Sequence, residues 1–172
     1  MARQSDSSVT LILGGARSGK SRHGESLIAA LPAPWTYIAT AEAWDEEMRT
    51  RIAAHRARRD DRWRTVDAPL ALPEALRDAG DAPVLVDCLT LWLTNLMLAE
   101  RDATAATDDL LANLAARAAP TVLVANEVGL GIVPDHKLGR DFRDEAGILH
   151  QRIAAQADRV LFMVAGLPMV VK

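Results

Sequence analysis

Five short apolar runs punctuate the chain: Val9–Leu13, Thr36–Ala39, Val84–Asp87, Thr121–Ala125 and Val160–Val164. Most are near-continuous rather than alternating, as strands are in a sheet covered on both faces. Between them the apolar positions recur at helical spacing. That pattern predicts helices over Ser21–Leu31, Asp45–Arg59, Leu89–Arg101, Asp108–Ala118 and Arg140–Ala157. Strands alternating with helices predict a mostly parallel α/β sheet. The tail Met169–Val171 predicts one more strand at an edge.

Helix breakers fall between these elements. Pro32 and Pro34 end the first helix, Pro120 precedes the fourth strand, and Gly129, Gly131 and Pro134 mark a loop after it. Pro69, Pro73, Gly80 and Pro83 bracket a short helical piece. Residues 40–83 are the most irregular stretch, long for one connection, and long excursions of that kind often carry function. No repeat or interdomain linker is visible, so one domain over 9–172 is expected, after a flexible lead-in at 1–8.

Composition narrows the class. The chain has 172 residues, 49% of them hydrophobic, with a net charge of −3. It is long enough to bury a core, and its charge creates no field for nucleic acid or an anionic membrane. One cysteine, Cys88, leaves no intramolecular disulfide and no Cys-rich zinc site. No apolar run reaches the roughly 20 residues that span a bilayer. Met1–Ser8 has no apolar region of the secretory type. A cytoplasmic location is the expectation.

The chemistry begins at Gly14-Gly15-Ala16-Arg17-Ser18-Gly19-Lys20-Ser21, which fits the phosphate-binding loop G-x-x-x-x-G-K-[ST]. A strand precedes it and a helix follows. The glycines let backbone N–H groups converge on phosphate oxygens, and the helix start adds partial positive charge. Lys20 is expected to reach the β- and γ-phosphates, and Ser21 to hold Mg²⁺. Asp87, ending the strand Val84–Asp87, is the candidate acid that orients the metal; the alternative is an Asp that only caps the helix at Leu89.

In the helix Asp45–Arg59, Asp45 is the expected N-cap. Met48, Ile52, His55 and Arg59 share one face, with Arg51 and Arg58 on adjacent turns. An imidazole among guanidinium groups suits phosphate chemistry: arginines bind phosphate oxygens and keep the imidazole neutral. The spacing by itself favours a solvated charged helix on which His55 only edges the core. His23, His136 and His150 form no metal-ligand spacing, and four dispersed tryptophans make no stacking platform for bases.

These pieces occur with further markers. Arg22-His23 follows the phosphate loop; then come Tyr37-Ile38-Ala39-Thr40-Ala41, Asp45-Glu46-Glu47-Met48, Arg51-Ile52, His55 and Trp63-Arg64-Thr65. Asn126 to Pro134, Phe142-Arg143-Asp144 and Gly147 complete the set. In this order, across nearly the whole chain, they resemble the bifunctional adenosylcobinamide kinase/adenosylcobinamide-phosphate guanylyltransferase family of cobalamin biosynthesis. The resemblance implies a P-loop NTPase-like three-layer sandwich with a mostly parallel central sheet. It implies two reactions: a γ-phosphoryl group passes from ATP or GTP to the aminopropanol hydroxyl of adenosylcobinamide. Then GMP passes from GTP, through a guanylyl-histidine, to the phosphorylated corrinoid.

Carried over residue by residue, the resemblance makes His55 the nucleophile and Lys20 its catalytic companion in the phosphate loop. Where some relatives have two adjacent histidines, this chain has Ala54 before His55. Arg56, Ala57, Arg58 and Arg59 match a segment lining the GTP site, and Ala39, Thr40 and Ala41 a second nucleotide-contacting turn. Asp67 and Asp87 stand where relatives have acidic residues, often glutamate. The nucleotide set is thus Gly14 to Ser21 with these residues, and the Mg²⁺ set is Ser21 and Asp87. Glu127 is a candidate base for the hydroxyl. A homotrimer with the corrinoid as partner is also implied. Two other classes remain: a kinase of a small alcohol without guanylyltransferase activity, and a nucleotide-gated switch.

Overall fold

The computed structural model describes residues 8–172, so the expected lead-in lies outside the described residues except for Ser8; the side chain of Arg51 lies outside them too. In chain order the elements are β1 (Val9–Gly14), α1 (Lys20–Ala29), β2 (Trp35–Ala39), α2 (Glu46–Ala57) and β3 (Trp63–Asp67). Then follow α3 (Leu72–Asp78), β4 (Val84–Asp87), α4 (Leu89–Leu98), α5 (Ala103–Ala116) and β5 (Thr121–Asn126). The chain closes with α6 (Lys137–Gln156), β6 (Arg159–Val164) and β7 (Leu167–Val170).

The seven strands form one sheet in the order β3-β2-β4-β5-β1-β6-β7. All neighbours pair in parallel except β6 and β7, which are antiparallel. Successive side chains of the central strands enter opposite faces. Leu11, Val86 and Leu123 join the apolar cluster beneath α3 to α6, whereas Ile12, Leu85 and Val124 join the cluster beneath α1. This two-sided burial explains the near-continuous apolar runs in the sequence. Each wholly buried Leu or Ile contributes about 1.5–3 kcal/mol to that packing.

The close fit of α1 depends on Gly24. A Cβ there would lie 2.8 Å from Leu85 Cδ1, in wholly buried surroundings.

Three expectations are corrected. The strand β3 lies inside the stretch read as irregular. It is an edge strand whose Arg64, Thr65 and Asp67 are exposed, so it lacks the apolar run that marks a central strand. The fourth and fifth long helices begin earlier than predicted, at Ala103 and Lys137. Asp102 and His136 supply the N-caps there, accepting from the N–H groups of Ala105 and Gly139. The tail strand starts earlier too, at Leu167, after a reversal in which Ala165 and Gly166 adopt positive φ.

The parallel strands bring their carboxyl ends to one edge. Gly14 of β1 is in register with Asn126 of β5, and Ala39 of β2 with Asp87 of β4. Ligands of open parallel sheets bind outside that edge.

Candidate active site

Between β1 and α1 the chain turns through residues 15–19. Gly19 takes a left-handed conformation, φ 93°, as N-cap of α1, and no side chain caps the helix. The first N–H groups of α1 are thereby left to an anion. Gly14 is required by space: a Cβ would lie 2.7 Å from Ser18 Oγ and 2.9 Å from the Met163 carbonyl oxygen.

Lys20 folds back over the loop and donates to the Gly15 carbonyl. Its side chain is buried, and burial lowers its pKa, an effect opposed by Cys88 and Asp87. An ammonium so held has lost much of its hydration and gains by meeting a phosphate.

Asp87 ends β4 and accepts a hydrogen bond from Tyr37 Oη at 2.9 Å. Burial, with Asp87 next in order, raises the pKa of Tyr37, so its hydroxyl stays a donor. Cys88 is buried, and burial pushes its thiol up to about 11, so it is no neutral-pH nucleophile.

The helix α2 begins at Asp45, whose side chain accepts from the Met48 N–H at 2.7 Å. Met48, Ile52 and His55 are its half-buried positions among the described side chains, and Arg59, just past its end, continues that face, as their spacing predicts. His55 accepts at Nδ1 from Arg58 Nη2 across 3.3 Å, because a guanidinium can only donate. Its pKa is lowered, first by burial and then by Arg58 and Arg59, against Asp87 and Glu25, which raise it. At neutral pH the ring is therefore a neutral base with a lone pair. Arg59 stacks 3.6 Å from the Tyr37 ring centre and donates to the His55 carbonyl at 3.0 Å.

A cavity of about 550 Å³ joins the two regions. Ala16, Arg17, Ser18, Gly19, Lys20 and Ser21 line one side, and His55, Arg56, Arg58 and Arg59 another; Ala39, Ala41 and Asp87 lie at the strand ends between them. Five residues expected to contact nucleotide do not line it. Gly14 and Gly15 lie at the base of the loop. Thr40 is wholly buried and bonded to the Cys88 backbone. Ala57 is exposed outside the cavity lining. Asp67, exposed on β3, holds Arg56 through two hydrogen bonds of 2.7 and 2.8 Å.

Glu127 also stays outside the lining, accepting from the Gly129 N–H at 2.6 Å. Arg22, Tyr37, Met48, Ile52, Leu91 and Asn126 do line the cavity. Arg22 follows the loop, Met48 and Ile52 share the face of His55, and Asn126 ends β5; Tyr37, inside β2, and Leu91, in the first turn of α4, carried no such signal in the sequence.

Ser21 and Asp87 offer hard oxygen donors on the same cavity, which suits Mg²⁺ shared with phosphate oxygens. Among the described residues no three His, Cys, Asp or Glu side chains gather as a metal cage. A nucleotide-borne metal needs no such cage.

Against known families, residues 10–171 match the profile described as cobinamide kinase / cobinamide phosphate guanyltransferase. The "bifunctional adenosylcobalamin biosynthesis protein CobP" of Pseudomonas aeruginosa is 53% identical, over 94% of this chain and 96% of that protein. The proteins named CobU from Salmonella typhimurium and Escherichia coli are 42% and 40% identical, each over 94% of this chain and 98% of the relative. Among solved structures, the flagellar accessory protein FlaH of Methanocaldococcus jannaschii superposes with a TM-score of 0.56 at 13% identity. That match covers 97% of this chain and 79% of FlaH. A type III secretion ATPase superposes with a TM-score of 0.53 at 11% identity, over 95% of this chain and 57% of that one. The last two likenesses concern the fold alone, an α/β fold with a mostly parallel sheet.

Proposed function

The chain belongs to the cobinamide kinase / cobinamide phosphate guanyltransferase family, and we propose that the cavity between its phosphate loop and α2 carries both of that family's reactions. The protein is a transferase that phosphorylates adenosylcobinamide and guanylylates the phosphate. One observation carries the assignment of residues: Lys20 and His55 line the same cavity from opposite elements.

In the kinase step, Lys20 and the N–H groups of residues 15–19 hold the triphosphate of ATP or GTP. The corrinoid hydroxyl attacks the γ-phosphorus, the bond to the β–γ bridging oxygen breaks, and the hydroxyl proton leaves to base or water. Lys20 offsets the charge that moves onto the leaving diphosphate. Ser21 and Asp87 would hold Mg²⁺, which would neutralise phosphate charge when bound. Glu127, engaged by the Gly129 N–H, is at most a base that must first exchange that partner.

In the guanylyl step, Nδ1 of neutral His55, its lone pair freed as Arg58 turns to a phosphate oxygen, attacks the α-phosphorus of GTP. An N–P bond forms, the bond from the α-phosphorus to its bridging oxygen breaks, and pyrophosphate leaves. The ring sheds the proton on its other nitrogen. A phosphate oxygen of the phosphorylated corrinoid then attacks the same phosphorus, the N–P bond breaks and the ring takes back a proton, giving adenosylcobinamide-GDP and neutral His55. Arg56, Arg58 and Arg59 surround this step and suit phosphate oxygens. Asp67 would accept from guanine N1 and N2 only after Arg56 releases it.

The finer fold reading, a P-loop NTPase-like three-layer sandwich forming one domain over 9–172, is supported by apolar clusters on both faces of the sheet. Among the described residues no helix is long and apolar enough to cross a membrane; we propose a cytoplasmic enzyme that assembles as a homotrimer, to be tested by light scattering.

Incubation with α-labelled GTP tests the residue roles. The wild-type chain takes label that is acid-labile and alkali-stable, His55→Ala takes none, and Lys20→Ala loses phosphoryl transfer. Unlabelled wild-type protein with intact phosphoryl transfer would sink the histidine assignment and leave the kinase of a small alcohol.

A further inference from the structure

We propose that Glu25, a carboxylate on the helix that leaves the phosphate loop, is a positioning residue for the guanylyl step. It aims two arginines of the α2 region and, through them, His55. The proposal rests on the reading of His55 as nucleophile.

The helix α2 needs such a tether. Among its described side chains none is fully buried, so apolar packing does little to fix where His55 sits. The polar links are specific. Glu25 Oε1 lies 3.5 Å from Arg58 Nη2 and 3.9 Å from Arg59 Nη1, with the Glu25 side chain only 16% exposed. Those two guanidiniums hold His55 at both ends: Arg58 at the ring Nδ1, Arg59 at the backbone carbonyl.

Arg59 is the rigid member. Its side chain is 4% exposed, its plane lies over Tyr37, and its Nε has no hydrogen-bond partner among the described residues. A buried guanidinium with an unmet donor stays in place only where a carboxylate and an aromatic face offset its desolvation. Glu25 and Tyr37 supply these, and Tyr37 in turn donates to Asp87. Glu25 lies five residues after Lys20 on one continuous helix. The α-phosphate nucleophile is thus registered against the loop that grips the far phosphates. Without the carboxylate, Arg58 and Arg59 both lose the acid that pairs with them.

The charged groups acting on His55 are Asp87 and Glu25, which favour the imidazolium, and Arg58 and Arg59, which oppose it. Removing Glu25 therefore leaves His55 harder to protonate. It also leaves it badly aimed, and a misplaced reacting group costs rate steeply.

The experiment compares Glu25→Gln and Glu25→Asp with wild type in single turnovers. It follows label on His55 from α-labelled GTP, γ-phosphoryl transfer from ATP to adenosylcobinamide, and the melting temperature. Glu25→Gln is expected to label about tenfold to a hundredfold more slowly, with its pH midpoint moved to lower pH and phosphoryl transfer unchanged. Glu25→Asp recovers part of the labelling rate. Wild-type labelling and pH midpoint in Glu25→Gln overturn the proposal. So does a parallel fall of both reactions with the melting temperature, which marks a structural role. Absence of label on wild-type His55 instead overturns the nucleophile assignment, and this proposal with it.

Discussion

The Thr40 hydroxyl grips Cys88 on both sides, donating to its carbonyl at 2.7 Å and accepting from its N–H at 2.9 Å. Thr40 is wholly buried, and the Thr40 N–H bonds the Asp87 carbonyl at 3.2 Å. This residue thus sets the backbone that carries Asp87. Thr40→Val keeps the shape and removes both side-chain bonds. It leaves the buried Cys88 N–H unpaired, at about 1–3 kcal/mol, while the Cys88 carbonyl keeps the Trp92 N–H at 3.2 Å. We expect a lower denaturation midpoint and slower phosphoryl transfer, with Thr40→Ser near wild type. A Thr40→Val protein with unchanged midpoint and rate would refute the clamp.

Gly24 tests how tightly α1 rests on the sheet. A methyl group there meets Leu85 Cδ1 at 2.8 Å, and Val122 and Val124 at 3.4 Å. Overpacking of this kind costs about 1–3 kcal/mol. Gly24→Ala should lower the urea midpoint while leaving the slope of the transition unchanged. No change in midpoint would mean that α1 lifts without cost.

Asp67 and Arg56 form an exposed pair, each side chain half or more accessible. Such a pair contributes at most about 1 kcal/mol. Asp67→Asn should therefore barely alter melting. If Asp67 reads guanine, the same variant should lose discrimination between GTP and ATP in the labelling of His55. Retained discrimination would confine Asp67 to holding Arg56.

Acid should destabilise the fold through histidine. Burial lowers the pKa of His150 below its usual 6.5, with Glu127 opposing, and burial lowers His23 as well. Above 6.5 the ring is neutral folded and unfolded, and pH has no effect through it. As pH falls below that value the unfolded chain takes up a proton that the folded chain resists. Stability then declines, by up to about 1.4 kcal/mol per pH unit for each such group. Chemical melts between about pH 7.5 and about pH 5 should show His150→Gln losing less stability than wild type across this window. Equal losses would mean that His150 is protonated in place.

Much of this was legible locally. The phosphate loop, its flanking strand and helix, the Asp45 cap and the half-buried face of His55 are determined by residues within a few positions of one another. Turn sterics, capping and helical periodicity act over that range. The apolar runs of β1, β4 and β5 were equally plain, because strands buried on two faces have little freedom in composition. The strand β3 was not, since an edge strand is recruited by the open side of β2 rather than by its own burial.

What tertiary structure alone decided is who meets whom. Residues 20, 55 and 87 share a cavity because parallel pairing brings β1, β2 and β4 to one edge, with register set by packing distant in sequence. Thr40 sits beside residues matching a nucleotide-contacting turn, yet the fold turns its hydroxyl inward to Cys88. Glu25 reads as an ordinary helix charge until α2 lays Arg58 and Arg59 against it. Such contacts depend on the positions of whole elements, and no local pattern of side chains encodes them.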